Sequence, residues 1–572
     1  MAPLLFSALV ALVGLGALIA RRSRAQALAT LRASWGQPAS RERKMEAMAA
    51  SHRSRLSNTG SRTSIDDRTW QDLDLDAVFA TVDRTESTLG QHALYHRLRT
   101  ASTPVHLDAF EALVSQFEID PALRERAQTA LSRLRDPQGY DLWWLARQDA
   151  IETRPWHVLF PILAAALLTL VVALPIVPQV TPALIAIVVV NVGTRYMTDR
   201  RIGALAAAFR QIAPVVNTAE SLRFLEAGNV RPLIGSIHAD TRSLRRLKAI
   251  ARWLSGDPLM LPTNAGALAI MINDVVSTAY EYLNLALLLD GNGVYFGARS
   301  LRAHHAAFLR VVAATGEVDA AISTASFRAG RRDWTRPAFR QPGAPAELTD
   351  VRHPLLVDAV PNSIRLAAGR GVLITGSNMS GKSTFLRTVG VSAVLAQALN
   401  TCLAAEYQAP VFNVRSCIGR SDDLLSGKSY YIVEVESLLG LVEASAGTTP
   451  HLFLVDELFR GTNTVERIAA GRAVLQEFVS DGSRTNPHVV VAATHDGELV
   501  DLLSGSYSAF HFGDAVGPGG LTFDHQLRPG PATTRNAIAL LRLHGASEDL
   551  IRRALDCAAM LDAQRGTTVL GR

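Results

Sequence analysis

Pro155 to Thr194 runs for forty residues without one Asp, Glu, Lys or Arg. A stretch of that kind belongs either in a protein core or in lipid. One bilayer span takes about 20 apolar residues, so this run has length for two. Pro175, Pro178 and Pro182 cluster in its middle, and proline breaks a helix there. The pattern predicts a hairpin, with one helix near His157–Leu174 and another near Ala183–Met197. Forty uncharged residues favour lipid over a pair of buried core helices. Pro3 to Ala20 is a second run of eighteen residues without charge. Arg21, Arg22 and Arg24 follow it, Arg147 and Arg154 precede the hairpin, and Arg195, Arg200 and Arg201 close it. Positive charge marks cytoplasmic ends. A cleaved signal peptide wants its charge before the apolar run, and here it follows. The first run is therefore expected to be an uncleaved anchor. The expected location is the cell (inner) membrane, multi-pass, with the remainder of the chain cytoplasmic.

A second feature points to phosphate chemistry. "GVLITGSNMSGKSTF" (Gly371–Phe385) fits G-x-x-x-x-G-K-[ST], between an apolar strand pattern and a helical one, which is the context this motif requires. Backbone N–H groups of such a loop and helix start hold an anion. Gly376, Ser377, Asn378, Met379, Ser380, Gly381, Lys382, Ser383 and Thr384 are the candidate nucleotide-binding residues. Lys382 is expected to reach the β- and γ-phosphates of ATP, and Ser383 to offer its hydroxyl to Mg²⁺. "HLFLVDELFRGTNT" (His451–Thr464) is an apolar strand ending in an acidic pair. Asp456 is the expected second Mg²⁺ ligand and Glu457 the expected general base. A third strand, Val489–Ala493, ends at Thr494-His495, and His495 is a candidate γ-phosphate sensor. A chance glycine turn or a capped acidic turn explains each stretch alone, but not all three together.

At 572 residues the chain has room for about three domains. Its net charge of +6, from 58 basic and 52 acidic residues, does not by itself imply nucleic acid. Cys402, Cys417 and Cys557 are too far apart for a metal or redox motif and exclude a disulfide framework. Residues 21 to 62 carry ten basic and two acidic side chains, a net of +8. That suits DNA phosphates or anionic lipid headgroups, with lipid the default beside an anchor. Arg242, Arg245, Arg246, Lys248 and Arg252 alternate with Leu244, Leu247, Ile250 and Leu254. This is a basic helix face, which serves DNA contact or plain solvation.

The stretch "TGSNMSGKSTFLRTVG" resembles the phosphate loop of the MutS mismatch-repair ATPases, usually TGPNMxGKST. Four more stretches follow in that family's order. "VRHPLL" (Val351–Leu356) is similar to the start of its ATPase domain. "IGRSDDLLSGKSYYIVEVESL" (Ile418–Leu438) is similar to GxxDDxxxGxSTFxxEM, "DELFRGTNT" to DExGRGTST, and "ATHDGEL" to THxxEL. Upstream, Arg68–Thr100 resembles the start of the family's helical core, where LDRTxTxxGxRxL occurs. Ser377 replaces the usual proline, and Tyr430-Tyr431 the usual Thr-Phe.

The resemblance implies an α/β P-loop ATPase domain of the ABC/MutS-like kind. A mostly α-helical core with a transmembrane hairpin and an N-terminal transmembrane helix would precede it. The expected domains are an anchor (1–20), a basic linker (21–66), a first helical part (67–154), the hairpin (155–197), a second helical part (198–345) and the ATPase with a C-terminal dimerisation segment (346–572). Between the anchor and the core-like stretch at Arg68 there is no room for the family's mismatch-reading and connector domains. The implied cofactors are ATP and Mg²⁺. The implied partners are a second copy of the chain, DNA in mismatched or structured form, and membrane lipid. Ser429 matches the serine that reaches the γ-phosphate held by the partner subunit. Two functions stay open: an ATP-dependent, mismatch-repair-related DNA clamp or sensor, and an ATPase that couples dimerisation to a membrane or protein partner without DNA.

Overall fold

The computed structural model describes residues 18, 21–59, 64–147, 154–197, 200–226, 230–254, 267–377, 379–418, 430–447, 449–459, 462–479, 488–517, 520–532 and 537–569. The N-terminal apolar run, apart from residue 18, lies outside them. Two compact units emerge: residues 1–62, 82–97 and 102–332 make the first, and residues 63–81, 98–101 and 333–572 the second.

The first unit is helical. In chain order the helices used below are α1 (Met45–Thr59), α2 (Asp67–Asp72, part of the second unit), α3 (Thr88–Arg99), α4 (Leu159–Ala173), α5 (Thr181–Met197), α6 (Arg200–Arg210), α7 (Arg245–Leu254), α8 (Ala267–Leu287), α9 (Leu289–Ala303) and α10 (His305–Ala329). The basic segment after residue 20 packs within this unit. Leu31 and Met48 are buried. Arg32 pairs with Glu125, Arg41 with Glu86 at 2.9 Å and Arg43 with Asp83 at 2.9 Å. The buried Asp319 of α10 accepts from the backbone N–H groups of Glu86 and Ser87 at 2.8 and 2.7 Å, fixing the start of α3. At Gly90 any side chain would run into Asp319, with a Cβ 2.2 Å from its Oδ2.

The forty-residue run forms two helical stretches, Pro155–Ala173 and Pro178–Met197, both long and apolar enough to cross a membrane. Only 17% and 6% of their most apolar windows are buried, so neither is a core helix. They are turned back on each other at Leu174–Val177, beside the expected prolines. Asn191 of α5 is buried and donates to the Ala286 carbonyl of α8 at 2.6 Å.

The second unit holds a six-stranded sheet in the order β10-β9-β4-β8-β7-β6. Its strands are β4 (Gly371–Thr375), β6 (Asn413–Cys417), β7 (His451–Asp456), β8 (Val489–Ala493), β9 (Tyr507–Gly517) and β10 (Gly520–Pro529). The pairs β6–β7, β7–β8, β8–β4 and β4–β9 are parallel, and only β9–β10 is antiparallel. All five residues of β4 and of β8 are buried, as parallel strands covered on both faces should be. A smaller sheet adds β1 (Ala338–Phe339), β5 (Glu406–Ala409), β2 (Ala346–Val351) and β3 (Asn362–Leu366) in that order. Helix α11 (Lys382–Leu399) lies almost wholly buried against the large sheet. Gly390 permits this, since a Cβ there would stand 2.6 Å from Leu454 Cδ1 and 2.8 Å from Leu73 Cδ2.

Residues 67–81, expected with the first helical part, pack in this second unit. The Thr69 hydroxyl of α2 accepts from the Ser416 N–H at 3.0 Å. Asp72 accepts from the Ser416 hydroxyl at 2.8 Å and the Ile418 N–H at 2.9 Å. These side chains satisfy groups along β6, where an open strand edge would template aggregation.

Burial holds two histidines of α3 neutral. His92 and His96 are each pushed down to about 3, first by burial and then by the nearby Arg55. A base depressed in the folded state stabilises above its ordinary pKa, and that contribution is lost as pH falls. The melting temperature of the protein is expected to drop as pH goes from 7 towards 4, with a slope near 1.4 kcal/mol per pH unit for each such histidine. His92→Phe should reduce the slope by about one proton; an unchanged slope in a pH series of thermal melts would contradict the assignment.

Candidate functional site

Three neighbouring strands end at one place. Pairing sets Ile374 against Ala493 and Asp456 against the same Ala493, so the loop after β4, the carboxylates after β7 and the residues after β8 meet in register. Lys382 Nζ donates to the carbonyls of Gly376 at 2.8 Å and Ser377 at 2.9 Å, and lies 3.3 Å from His495 Nε2. The Ser383 hydroxyl donates to Asp456 Oδ2. His495 Nε2 stands 2.7 Å from Glu457 Oε1. Lys382, Ser383, Asp456, Glu457 and His495 thus form one cluster from three separate stretches of chain.

The loop's shape depends on glycine. Gly376 has φ +140° and Gly381 φ +116°, values open to glycine and costly for other residues. Met379 sits at the loop tip with φ +70° and is 84% exposed, while Ser380 beside it is fully buried and Thr384 is exposed. Asn378 and Ser429 lie outside the described residues. Backbone strain continues beyond β7, where Glu457 has φ +50° and Phe459 φ +57°. Two bonds hold that turn: Glu457 N–H donates to the Ala493 carbonyl at 2.9 Å, and Phe459 N–H to Glu434 Oε1 at 2.7 Å. Strained backbone held in this way collects at working sites.

The cluster opens into a cavity of about 600 Å³. One wall is polar: Lys382, Ser383, Thr384, Asp456 and Glu457. The other carries Leu356, Val360, Phe512, His353 and His525. Burial, helped by Arg387, pushes His353 down to about 4, so it is neutral at pH 7. His525 is swung in by a bulge between Phe523 and Leu527. Asn362 clamps that bulge, donating to the His525 carbonyl at 3.0 Å and accepting from Leu527 N–H at 2.7 Å. The sequence reading missed this wall. "VRHPLL" had already marked the neighbourhood of His353, but His525 has no local motif, because a bulge is a property of pairing.

A triphosphate–Mg²⁺ group fits the polar wall. Asp456 Oδ1, Ser377 Oγ and Ser380 Oγ are buried without a hydrogen-bond partner among the described residues. Buried orphan oxygens are costly unless something binds them. The start of α11 points its N–H groups into the same space.

Comparisons place this unit among known proteins. Residues 372–562 match the family model for MutS domain V. The DNA mismatch repair protein MutS of Thermus thermophilus is 34% identical over 254 residues, covering 44% of this chain and 30% of that protein. DNA mismatch repair protein MutS 2 of Halobacterium salinarum is 35% identical over 289 residues, 48% of this chain and 32% of its own. MutS of Streptococcus equi is 33% identical over 249 residues. Each match spans about a third of the relative's length or less.

Gly376→Ala tests the loop geometry. Its Cβ would stand 3.0 Å from the Phe512 carbonyl and 2.9 Å from Ser380 Oγ, at a φ that alanine resists. The variant should fold with its melting temperature lowered by a few degrees, on the order of 1 kcal/mol, and bind a fluorescent ATP analogue at least about tenfold more weakly, a loss near 1.4 kcal/mol. Unchanged affinity in a titration would show that the loop does not hold the nucleotide in this shape.

Proposed function

We propose that this chain, which belongs to the MutS family through its domain V, is a membrane-anchored ATP hydrolase with a mismatch-repair-related role on DNA. The meeting of Lys382, Ser383, Asp456, Glu457 and His495 in one cluster carries this reading. Lys382 is placed to exchange its two loop carbonyls for phosphate oxygens. Ser383 and Asp456, already in contact, would hold Mg²⁺, which supplies charge neutralisation at the terminal phosphates. Glu457 is positioned by His495 to take a proton from water, and His495 lies near enough to Lys382 to report on the phosphate's presence. The aromatic and apolar wall suits a flat base.

The relatives named above are DNA mismatch repair proteins, which supports a DNA substrate. A specific observation favours the second reading, in which dimerisation acts on a membrane or protein partner. Arg32, Arg41 and Arg43, part of the basic segment that suited DNA, are occupied by Glu125, Glu86 and Asp83. ATPase stimulation by duplex, mismatched or branched DNA, measured on the full chain in detergent, separates the two. Stimulation supports the first reading, and indifference to all three DNAs the second.

The working form in this proposal is a homodimer with shared sites. A phosphate loop leaves one face of the γ-phosphate open, and donors positioned there only on closure make hydrolysis depend on assembly. Leu541, Leu543, Leu550 and Leu555 of the C-terminal helices are exposed, which suits a partner surface. Lys382→Ala should abolish or severely weaken nucleotide binding. Glu457→Gln should keep binding and lose hydrolysis by about 10² or more. Wild-type turnover in Glu457→Gln would remove it as the base. Mixing inactive Lys382→Ala with inactive Ser429→Ala should restore part of the activity, because one composite site then carries both defects and the other none. No recovery in proven mixed dimers would end the shared-site idea.

A further inference from the structure

Both ends of the apolar hairpin and the end of helix α7 converge on the first turn of α9. Phe160, in the first turn of α4, packs on Gly291, where a Cβ would stand 2.8 Å from the ring. Arg195, in the last turn of α5, lies 3.5 Å from Asp290. Leu254, the last residue of α7, fills the space over Gly293, with a Cβ there only 2.0 Å from Leu254 Cδ2. The Leu254 carbonyl accepts from Arg210 at 3.1 Å and Tyr280 at 2.9 Å, and both also bond Asp290, at 2.7 and 3.2 Å. The residues just outside this knot are aromatic or basic. Trp156 is 37% exposed, Tyr196 82% and Trp253 53%, and Arg154 and Arg252 are exposed.

Exposed Trp and Tyr at the end of an apolar span, with arginine beside them, is the composition of a membrane–water interface. Trp253 and Arg252 belong to neither hairpin helix. They come from a helix almost sixty residues further along the chain, and packing alone brings them to the hairpin's base. Leu247, Ala251 and Leu254 turn the apolar face of α7 inward, so Arg252 and Trp253 are left on the outer side.

We propose that the last turn of α7, Arg252–Trp253, joins Trp156, Tyr196 and Arg154 in a collar that contacts anionic phospholipid headgroups around the hairpin base. This rests on the reading of the hairpin as membrane-spanning and goes beyond it. The collar seats the helical unit on the membrane surface at a second point, so that the unit does not swing freely on its two spans. Trp253 takes the headgroup–acyl boundary, where an amphipathic ring is stable. Arg252 and Arg154 meet lipid phosphates, each basic residue worth about a fivefold gain in partitioning at an anionic surface.

The test uses the full chain in nanodiscs of phosphatidylcholine alone or with phosphatidylglycerol. Cys557→Ser removes the exposed thiol, since Cys402 and Cys417 are buried. A fluorophore is then placed at Ala249→Cys, one turn before the collar, at Leu168→Cys in the hairpin, or at Arg299→Cys, about 14 Å along α9 from Asp290. Quenching by shallow and deep spin-labelled lipids is read at each. Deep quenching at 168, shallow quenching at 249 that rises with phosphatidylglycerol and falls with salt, and little at 299 are expected. Adding Arg252→Gln and Trp253→Ala should cut the signal at 249 by about fivefold or more. Deep quenching at 168 with 249 no different from 299 overturns the collar and leaves the spans standing. No quenching at 168 overturns the spans and the collar together. A signal at 249 indifferent to lipid charge, or suppressed by duplex DNA, overturns the headgroup assignment.

Discussion

The register of three parallel strands fixes everything that follows in the second unit. β4, β8 and β7 pair without a slip, so Ile374, Asp456 and Ala493 finish at one level. A shift of one residue would turn Asp456 to the opposite face of the sheet. Buried strands secure this register, because any slip strands apolar side chains and unpaired backbone groups at once. Helix α11 is then pressed onto the sheet through Gly390, and that approach sets where its first turn, with Lys382 and Ser383, enters the cavity. The site's precision comes from packing at Gly390, about two turns of helix beyond the loop itself.

The same economy appears in the polar contacts. Lys382 is bonded to loop carbonyls, Ser383 to Asp456 and His495 to Glu457. Each group that would bind phosphate or metal holds a partner of the right polarity meanwhile. Asp456 Oδ1 and the hydroxyls of Ser377 and Ser380 have none among the described residues. A site satisfied in most places and deficient in a few is stable enough to persist and still gains by binding.

Much of the second unit, and the hairpin of the first, was legible in the sequence, because their signals are local. The Gly376–Ser383 spacing, the acidic pair after an apolar strand and the proline-broken hairpin each sit within a few residues. What escaped depends on distant pairing. The bulge that brings in His525 exists only because Asn362 lies opposite it. The segment 67–81 resembled the opening of a helical core, and it does form helices. Its destination is decided by Thr69 and Asp72 meeting Ser416, some 345 residues away in the chain. The basic stretch 21–62 read as a cation-rich linker, since nothing local announces that Asp83, Glu86 and Glu125 pair with three of its arginines.

Asp290 shows how two physical regimes are joined in the helical unit. The hairpin offers lipid-like surface almost all round, while the helices below it bury apolar faces and keep charge outside. At the junction the carboxylate takes Arg195 from the hairpin's last turn, Arg210 from α6, and Tyr280 and Asn284 from α8. Leu288, between α8 and α9, is held at φ +53° to bring Asp290 there. A buried carboxylate with several donors is costly to break, because removing one partner leaves charge without compensation. An apolar contact at this point could slide, whereas hydrogen bonds from Arg210, Tyr280 and Asn284, with the Arg195 ion pair at 3.5 Å, resist it. The hairpin is therefore fixed to the helical unit by geometry as well as by greasiness, and a tilt of one is transmitted to the other through bonds of defined length.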